Sequence, residues 1–128
     1  MLTSIQAAGL MTIIAVVFTF IAGARVGALR GARKIEAPAT VGDPDFERAF
    51  RVHMNTIESL VVFLPLLWLG ALAFDGMIAL YIGLIWIVGR LIYMNAYMSD
   101  PAKRAPGAII TMVPLVGLLI ISVWGLFF

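Results

Sequence analysis

The chain has 128 residues, of which 62% are hydrophobic and only 12% are charged, and its net charge is +2. Soluble globular domains carry about 25% charged residues, so this composition excludes that class and indicates an integral membrane protein. The net charge is too small to suggest nucleic-acid binding, and the lack of cysteine excludes disulfides, cysteine nucleophiles and cysteine-ligated metal. With one histidine and few acidic residues, no metal site is expected.

Four apolar blocks follow one another along the chain, and each is long enough to cross a bilayer. A membrane-spanning helix needs about 20 residues. The blocks predict helices over about residues 5–33, 46–74, 77–98 and 101–127. None of them alternates in the way that the strands of a membrane barrel do. We therefore expect an all-α, integral membrane four-helix bundle that forms one domain over residues 1–128.

The first predicted helix ends in a row of glycines, and an irregular connection follows it. The glycines fall at steps of four and indicate close packing against another helix. They are Gly23, Gly27 and Gly31. The connection over residues 36–45 contains two prolines and a glycine, which are typical of a surface turn. Asp43 or Asp45 is expected to cap the second helix.

The basic residues are distributed asymmetrically, which predicts an orientation in the membrane. All nine belong to or lie near two segments: the connection between helices 1 and 2, and the connection between helices 3 and 4. Cytoplasmic connections are enriched in Lys and Arg, so both are expected in the cytoplasm and both termini outside it. The compact connections favour a bacterial inner membrane.

A polar stripe marks the start of predicted helix 2. At about 100° per residue, Arg51, Asn55 and Glu58 fall within roughly 60° of one another. His53 points away from this stripe and is expected to be a packing or solvent-facing residue. Charged side chains inside a membrane must face protein, water or a polar ligand. One alternative is an ion pair between Arg51 and Glu58 that serves only to hold the helices together.

A second polar stripe lies at the same end of the bundle, on predicted helix 3. It comprises Arg90, Tyr93 and Tyr97, with Arg104 from the next helix. The two stripes together suit a small zwitterionic ligand, because arginine binds carboxylates in a bidentate fork and an amide matches a peptide group. Glu58 would receive an ammonium group. The alternative for the two tyrosines is a place in the interfacial belt of aromatic residues.

Two motifs carry a family resemblance. The first is Phe46-Glu47-Arg48 followed by Arg51, Asn55 and Glu58. The second is Arg90, Tyr93, Tyr97 and Arg104, at the spacing of a leukotriene-synthase branch. Together they resemble the MAPEG family, the membrane-associated proteins of eicosanoid and glutathione metabolism that include microsomal glutathione transferases. The resemblance extends over essentially the whole chain in length and in four-helix layout.

The resemblance implies a homotrimer that binds glutathione, as a co-substrate, between neighbouring subunits near the cytoplasmic face. It implies that the tripeptide is held by Arg51, Asn55, Glu58, Tyr93 and Tyr97. It assigns Arg104, which faces the thiol, and Arg30 to catalysis, with Arg48 and Arg90 as supporting basic residues. The implied activity is a glutathione transferase acting on hydrophobic electrophiles, with reduction of lipid hydroperoxides as a possible second activity.

Two positions depart from the leukotriene-synthase branch that the motifs resemble. Ser59 stands where that branch has a tyrosine, which removes one phenol from the expected pocket. Gly31 follows Arg30 where that branch has a second arginine, proposed there to act on the lipid epoxide. A leukotriene-type substrate is therefore disfavoured, and a broader range of electrophiles or lipid hydroperoxides is expected.

Two other functions remain open from the sequence. A non-catalytic glutathione- or lipid-binding protein on the same scaffold would share the fold and the pocket, but the presence of Arg104 and both tyrosines favours an enzyme. A small four-helix multidrug transporter would need an isolated membrane carboxylate to attract cations. Here Glu58 is accompanied by Arg51 on the same face, which disfavours cationic substrates.

Overall fold

A computed structural model describes all 128 residues, and it contains four long helices and no strand. They are α1 Ser4–Ala32, α2 Pro44–Ala73, α3 Gly76–Ser99 and α4 Ala105–Phe127. All four helices are long and apolar enough to cross a membrane. The prediction of an all-α four-helix bundle is confirmed. One boundary differs, because residues Pro101–Arg104, predicted as the start of the fourth helix, form a separate 3₁₀ turn.

Three aspartates determine where the helical segments after α1 begin. The Asp43 carboxylate accepts hydrogen bonds from the backbone N–H groups of Asp45 and Phe46, so it is Asp43 that caps α2. Asp75 accepts from the N–H of Ile78 at the start of α3, and Asp100 likewise caps the 3₁₀ turn. A side-chain acceptor at this position satisfies N–H groups that have no partner within the helix.

The apolar core fills the half of the bundle that contains the two termini. Helices α2 and α3 each pack against both α1 and α4. The largest side chains of this core are Met11, Phe63, Leu67, Trp86 and Leu118, all fully buried, whereas Phe46 belongs to a smaller apolar cluster with Val26 and Ala49 at the opposite end. The rings of Phe63 and Trp86 stack with their centroids 4.3 Å apart. Since apolar packing is concentrated in this half, the polar stripes of α2 and α3 lie in the other half.

The row of glycines in α1 makes only one close contact within the chain. A Cβ on Gly23 would lie 3.0 Å from Nε2 of His53, so the histidine packs against α1 as expected. A Cβ on Gly27 or Gly31 would meet nothing within 4 Å. The predicted helix packing through all three glycines is therefore wrong for a single chain, since no other helix of the chain covers the last two.

A close approach of α3 and α4 determines the position of Tyr93. A Cβ on Gly107 would overlap the backbone of Tyr93. One helical turn earlier on α3, a Cβ on Gly89 would lie 2.7 Å from the backbone nitrogen of Thr111. Cβ atoms essentially never come this close to other heavy atoms. Glycine at both positions allows the two backbones to pack almost directly against each other beside the polar stripes.

Candidate functional site

Five of the residues predicted for the site line a single cavity of about 250 Å³, which we call the central cavity. They are Arg51, Asn55, Tyr93, Tyr97 and Arg104. The first two project from one face of α2, the tyrosines from one face of α3, and Arg104 from the end of the 3₁₀ turn. The 3.6-residue period places each pair on one side of its helix. The structure therefore brings together side chains from three segments of the chain.

The central cavity combines positive charge with aromatic walls. Arg51 and Arg104 are exposed, and no carboxylate lines the cavity with them. Tyr93 is buried and Tyr97 half-buried, and their rings stack with centroids 5.6 Å apart. Two guanidinium groups without an acidic partner make a local positive potential that attracts anions. The cavity is therefore suited to the carboxylates of a small ligand.

Arg51 and Glu58 do not form the ion pair that was the alternative explanation for the helix 2 stripe. The salt bridges of the chain join Arg33 to Asp43, at 3.5 Å, and to Asp45, at 2.9 Å. Both Arg51 and Glu58 are exposed. The alternative of a packing ion pair is thus wrong within one chain, and both charges remain available to bind a ligand or a neighbouring chain.

Two further cavities share walls with the central one. The outer cavity, of about 370 Å³, shares Arg51 and Tyr97 and extends to the connection at Thr40 and Val41. The inner cavity, of about 250 Å³, shares Asn55 and Tyr93. Its other lining residues include Glu58, Ser59, Arg90, Val62, Met112 and Leu115. A polar path thus leads from the connection to the central cavity, and a more apolar one continues between α2 and α4.

Arg90 is buried in the wall of the inner cavity without an acidic partner. Only 2% of the residue is exposed. Its Nη2 donates a hydrogen bond of 2.8 Å to the hydroxyl of Thr56, and its guanidinium lies 4.4 Å from the ring centroid of Tyr93. Its Nε is buried and has no acceptor. Thr56 was not predicted, because it lies off the α2 stripe and only the helix packing reveals its contact with Arg90.

Ser59, one of the two departures noted in the sequence, makes a hydrogen bond to a core side chain. Its hydroxyl accepts a 2.9 Å hydrogen bond from the indole N–H of Trp86. Trp86 is fully buried and stacks on Phe63, so its ring is fixed. Ser59 therefore joins the buried core to the wall of the inner cavity.

The remaining two predicted arginines lie outside the central cavity. Arg48 donates to the carbonyl oxygens of Met98, at 3.1 Å, and Ser99, at 3.4 Å, and it lines the outer cavity. Arg30 donates to the carbonyl oxygen of Ala39 at 2.8 Å. Arg48 thus binds the last turn of α3, and Arg30 holds the connection. Within one chain, Arg30 does not reach the other predicted catalytic residue, Arg104.

Comparison with known proteins places the chain in a family. The sequence model of the MAPEG family matches residues 8–124. The chain belongs to the MAPEG family. An uncharacterized protein of Synechocystis sp. is 38% identical over 121 residues, which cover 91% of this chain and 88% of the relative. Membership of the MAPEG family and four apolar helices make the chain an integral, multi-pass membrane protein.

Two groups of MAPEG relatives carry functional names. Microsomal glutathione S-transferase 2 of Homo sapiens is 34% identical over 100 residues, covering 74% of this chain and 68% of the relative. Leukotriene C4 synthase of Bos taurus is 33% identical over 75 residues, covering 59% of this chain and 50% of the relative. The family resemblance predicted from the two motifs is therefore confirmed.

Proposed function

We propose that this MAPEG protein is a membrane-bound glutathione transferase, which activates the thiol of glutathione for attack on hydrophobic electrophiles. The observation that carries the proposal is the central cavity, where two unpaired arginines, an amide and two tyrosines surround one small space. A relative with 34% identity is itself named a glutathione transferase. The positive charge of this lining favours an enzyme that binds anionic glutathione over a transporter that binds cations.

Each group of glutathione has a matching side chain in the proposal. Arg51 binds one carboxylate in a bidentate fork, as planar guanidinium groups do. Asn55 donates to and accepts from a peptide group of the ligand, and Glu58, exposed at the mouth of the inner cavity, receives the ammonium group. Tyr93 and Tyr97 supply phenol groups and apolar ring faces.

Arg104 is the proposed activator of the thiol. The thiolate is the nucleophile, and a free thiol has a pKa of about 8.5. Lowering this pKa to about 6.5 takes about 2.7 kcal/mol of preference for the anion. A nearby guanidinium supplies such a preference, and Arg104 also stands at the N-terminus of α4, where the helix dipole favours negative charge. Arg30 does not line the central cavity of its own chain, so it takes no part in the proposed reaction there. A catalytic role for Arg30 would require the cavity of a neighbouring subunit.

The central and inner cavities adjoin each other, so we place the glutathione sulfur in the first and the electrophile in the second. The sulfur anion in the central cavity forms a bond to an electrophilic carbon in the inner cavity, while the leaving group departs with the bonding electrons. The thiol proton goes to water. With lipid hydroperoxides as a second substrate class, two glutathione molecules are oxidised to the disulfide, and the hydroperoxide is reduced to an alcohol and water.

Replacement of Arg51 tests the binding half of the proposal. We expect Arg51→Gln to weaken glutathione binding by about 10- to 100-fold, because a hydrogen bond to a charged group contributes about 1.5–3 kcal/mol. Titration of detergent-purified protein with glutathione measures the change. Arg25→Gln, an exposed arginine of α1 outside all three cavities, is the matched control. Equal affinity in the two variants would contradict the role of Arg51.

We propose that the protein assembles as a homotrimer with glutathione between neighbouring subunits. The uncovered Gly27 and Gly31 of α1 and the unpaired charges of Arg51 and Glu58 support the proposal, since both features suit contact with another chain. Light scattering of detergent-solubilised protein should give a protein mass of three times the 13.9 kDa of one chain. A monomer mass in a mild detergent that preserves activity would contradict it.

We propose a bacterial inner membrane location with the basic connections in the cytoplasm and both termini outside. The chain has no cysteine, so an introduced one is unique. In spheroplasts, a membrane-impermeant maleimide should label Leu2→Cys but label Ala37→Cys only after permeabilisation. The reverse pattern would show that the orientation is inverted.

A further inference from the structure

The inner cavity contains a polar corner whose hydrogen-bond donors are unused. The apolar lining of the cavity includes Val62, Met112 and Leu115, which suit an apolar chain, and its polar lining residues are Asn55, Glu58, Ser59, Arg90, Tyr93 and Thr111. The function proposed above uses Asn55, Glu58 and Tyr93 for glutathione and assigns the rest of this cavity only a hydrophobic electrophile. Arg90 and Ser59, which it leaves unused, point to a more specific chemistry.

The first donor is Arg90. A buried arginine without a carboxylate partner is expensive in a membrane protein unless acceptors surround it. Thr56 satisfies one N–H, and the ring of Tyr93 contributes a cation–π contact, but the buried Nε has no acceptor. Because Nε is closed off from the cavity, an acceptor oxygen of a bound molecule would meet the N–H groups of the terminal nitrogens that Thr56 leaves free.

The second donor is the Ser59 hydroxyl, which behaves unlike the other serine and threonine hydroxyls inside the helices. Apart from Ser4 at the start of α1, these all donate to a backbone carbonyl three or four residues earlier; they belong to Thr12, Thr19, Thr56, Ser99, Thr111 and Ser122. Ser59 makes no such bond and instead accepts from Trp86. A hydroxyl has one proton to donate. Accepting from the indole polarises that proton, which has no acceptor within the chain.

We propose that Arg90 and Ser59 donate hydrogen bonds to the carbonyl oxygen of an α,β-unsaturated carbonyl compound with an apolar tail. The tail lies along Val62, Met112 and Leu115, and the carbonyl reaches the polar corner. The inference rests on the proposed transferase function and names the substrate class of its inner cavity. Arg90 and Ser59 thereby select this class over electrophiles that develop no charge on oxygen.

The chemistry requires donors at this oxygen. The glutathione sulfur anion forms a bond to the β-carbon, the electrons of the carbon–carbon double bond move towards the carbonyl, and negative charge develops on oxygen. The resulting enolate takes a proton from water at the α-carbon, so the thiol and the enone combine without loss of an atom. Donors directed at an oxygen that gains charge accelerate such steps by about 100- to 1,000-fold each.

Two electrophiles with the same carbon skeleton distinguish hydrogen bonding by Arg90 and Ser59 to the substrate oxygen from a purely structural role of these residues. The probes are trans-2-nonenal, an enal, and trans-1-bromo-2-nonene, an allylic bromide that loses bromide and develops no charge on oxygen. Conjugation by detergent-purified protein is measured with each at saturating glutathione. We expect Ser59→Ala to lower the rate with the enal on the order of 100-fold and the rate with the bromide less than about threefold.

Two other variants and a control complete the test. Arg90→Lys keeps the positive charge but removes the planar donors, and it should also affect the enal selectively. If that protein does not accumulate, Met112→Trp at the exposed apolar wall should slow the nine-carbon enal more than propenal, which has no tail. Ser122→Ala removes a buried hydroxyl far from the cavity, and its ratio of rates should match that of the wild type.

The outcomes distinguish the two proposals. A selective loss with the enal supports the inference. Equal loss with both probes, or no loss with either, in Ser59→Ala would overturn it while leaving the transferase function intact. If the wild type binds no glutathione and conjugates neither probe, the transferase function itself is wrong and this inference falls with it.

Discussion

Arg104→Ala is expected to shift the pH dependence of conjugation upwards by about two pH units. If Arg104 lowers the pKa of bound glutathione to about 6.5, roughly three quarters of it is thiolate at pH 7; with the pKa returned to about 8.5, about 3% is. A less stabilised thiolate is also more nucleophilic, by about 6- to 10-fold for two pKa units, so the roughly 25-fold loss of thiolate at pH 7 becomes a loss of rate of about threefold.

The upward direction of the shift in the pH–rate profile distinguishes a raised thiol pKa from misfolding of the variant. The thiolate form is fully present above the pKa of the bound thiol, so the wild-type rate at saturating glutathione should reach its plateau near pH 7.5, and the variant should still be rising there. Above about pH 9.5 the variant should reach a plateau of its own that is at least as high as that of the wild type. A variant that only misfolded would lose rate at every pH.

Lys103→Ala is the matched control for Arg104. Lys103 is the adjacent cation of the same 3₁₀ turn, and it is exposed and lines none of the three cavities. Its pH profile should coincide with that of the wild type. If Arg104→Ala instead keeps the wild-type profile, the thiol is activated by another group.

Gly107→Ala is expected to destabilise the protein by about 3 kcal/mol. The new methyl group would overlap the backbone nitrogen and Cα of Tyr93, and a backbone moves less readily than a side chain. Overpacking of this kind usually costs about 1–3 kcal/mol, and a backbone clash belongs at the upper end of that range. Because α3 would be displaced beside Tyr93, glutathione binding should weaken as well.

Gly117→Ala, further along α4, is expected to stabilise the protein rather than destabilise it. There the nearest atom to a new Cβ is Cγ2 of Ile82, at 3.7 Å, which is an ordinary contact. Alanine in a helix is about 1 kcal/mol more favourable than glycine. Denaturant unfolding in detergent micelles, followed by circular dichroism, should place the two variants on either side of the wild type. Equal stability of Gly107→Ala and wild type would show that α3 and α4 do not pack so closely.

The helices, and the face of each helix that lines the central cavity, follow from periodicity, because those features depend on one helix at a time. Four apolar blocks predicted four helices, and steps of three and four residues predicted which side chains share a face. Arg51 and Asn55 on α2, and Tyr93 and Tyr97 on α3, meet at one cavity for this reason. The 3₁₀ turn before α4 was not predicted, since Pro101 suits the first turn of either kind of helix.

Contacts between helices were beyond prediction, since no local pattern encodes which side chains meet. The hydrogen bond from Arg90 to Thr56, and that from Trp86 to Ser59, join residues 34 and 27 positions apart. The alternative of a packing ion pair between Arg51 and Glu58 stayed open from the sequence for the same reason. Charges on one helical face satisfy the spacing rule whether or not their side chains approach each other.

Activation of the thiol is measured most directly by the ultraviolet absorbance of thiolate during titration of the purified wild-type protein with glutathione at pH 7. We expect a saturable thiolate signal that reaches about three quarters of one thiolate for each occupied site, whereas free glutathione gives about 3%. Saturable binding measured in parallel without any thiolate absorbance would contradict this expectation, and the protein would then bind glutathione without activating it.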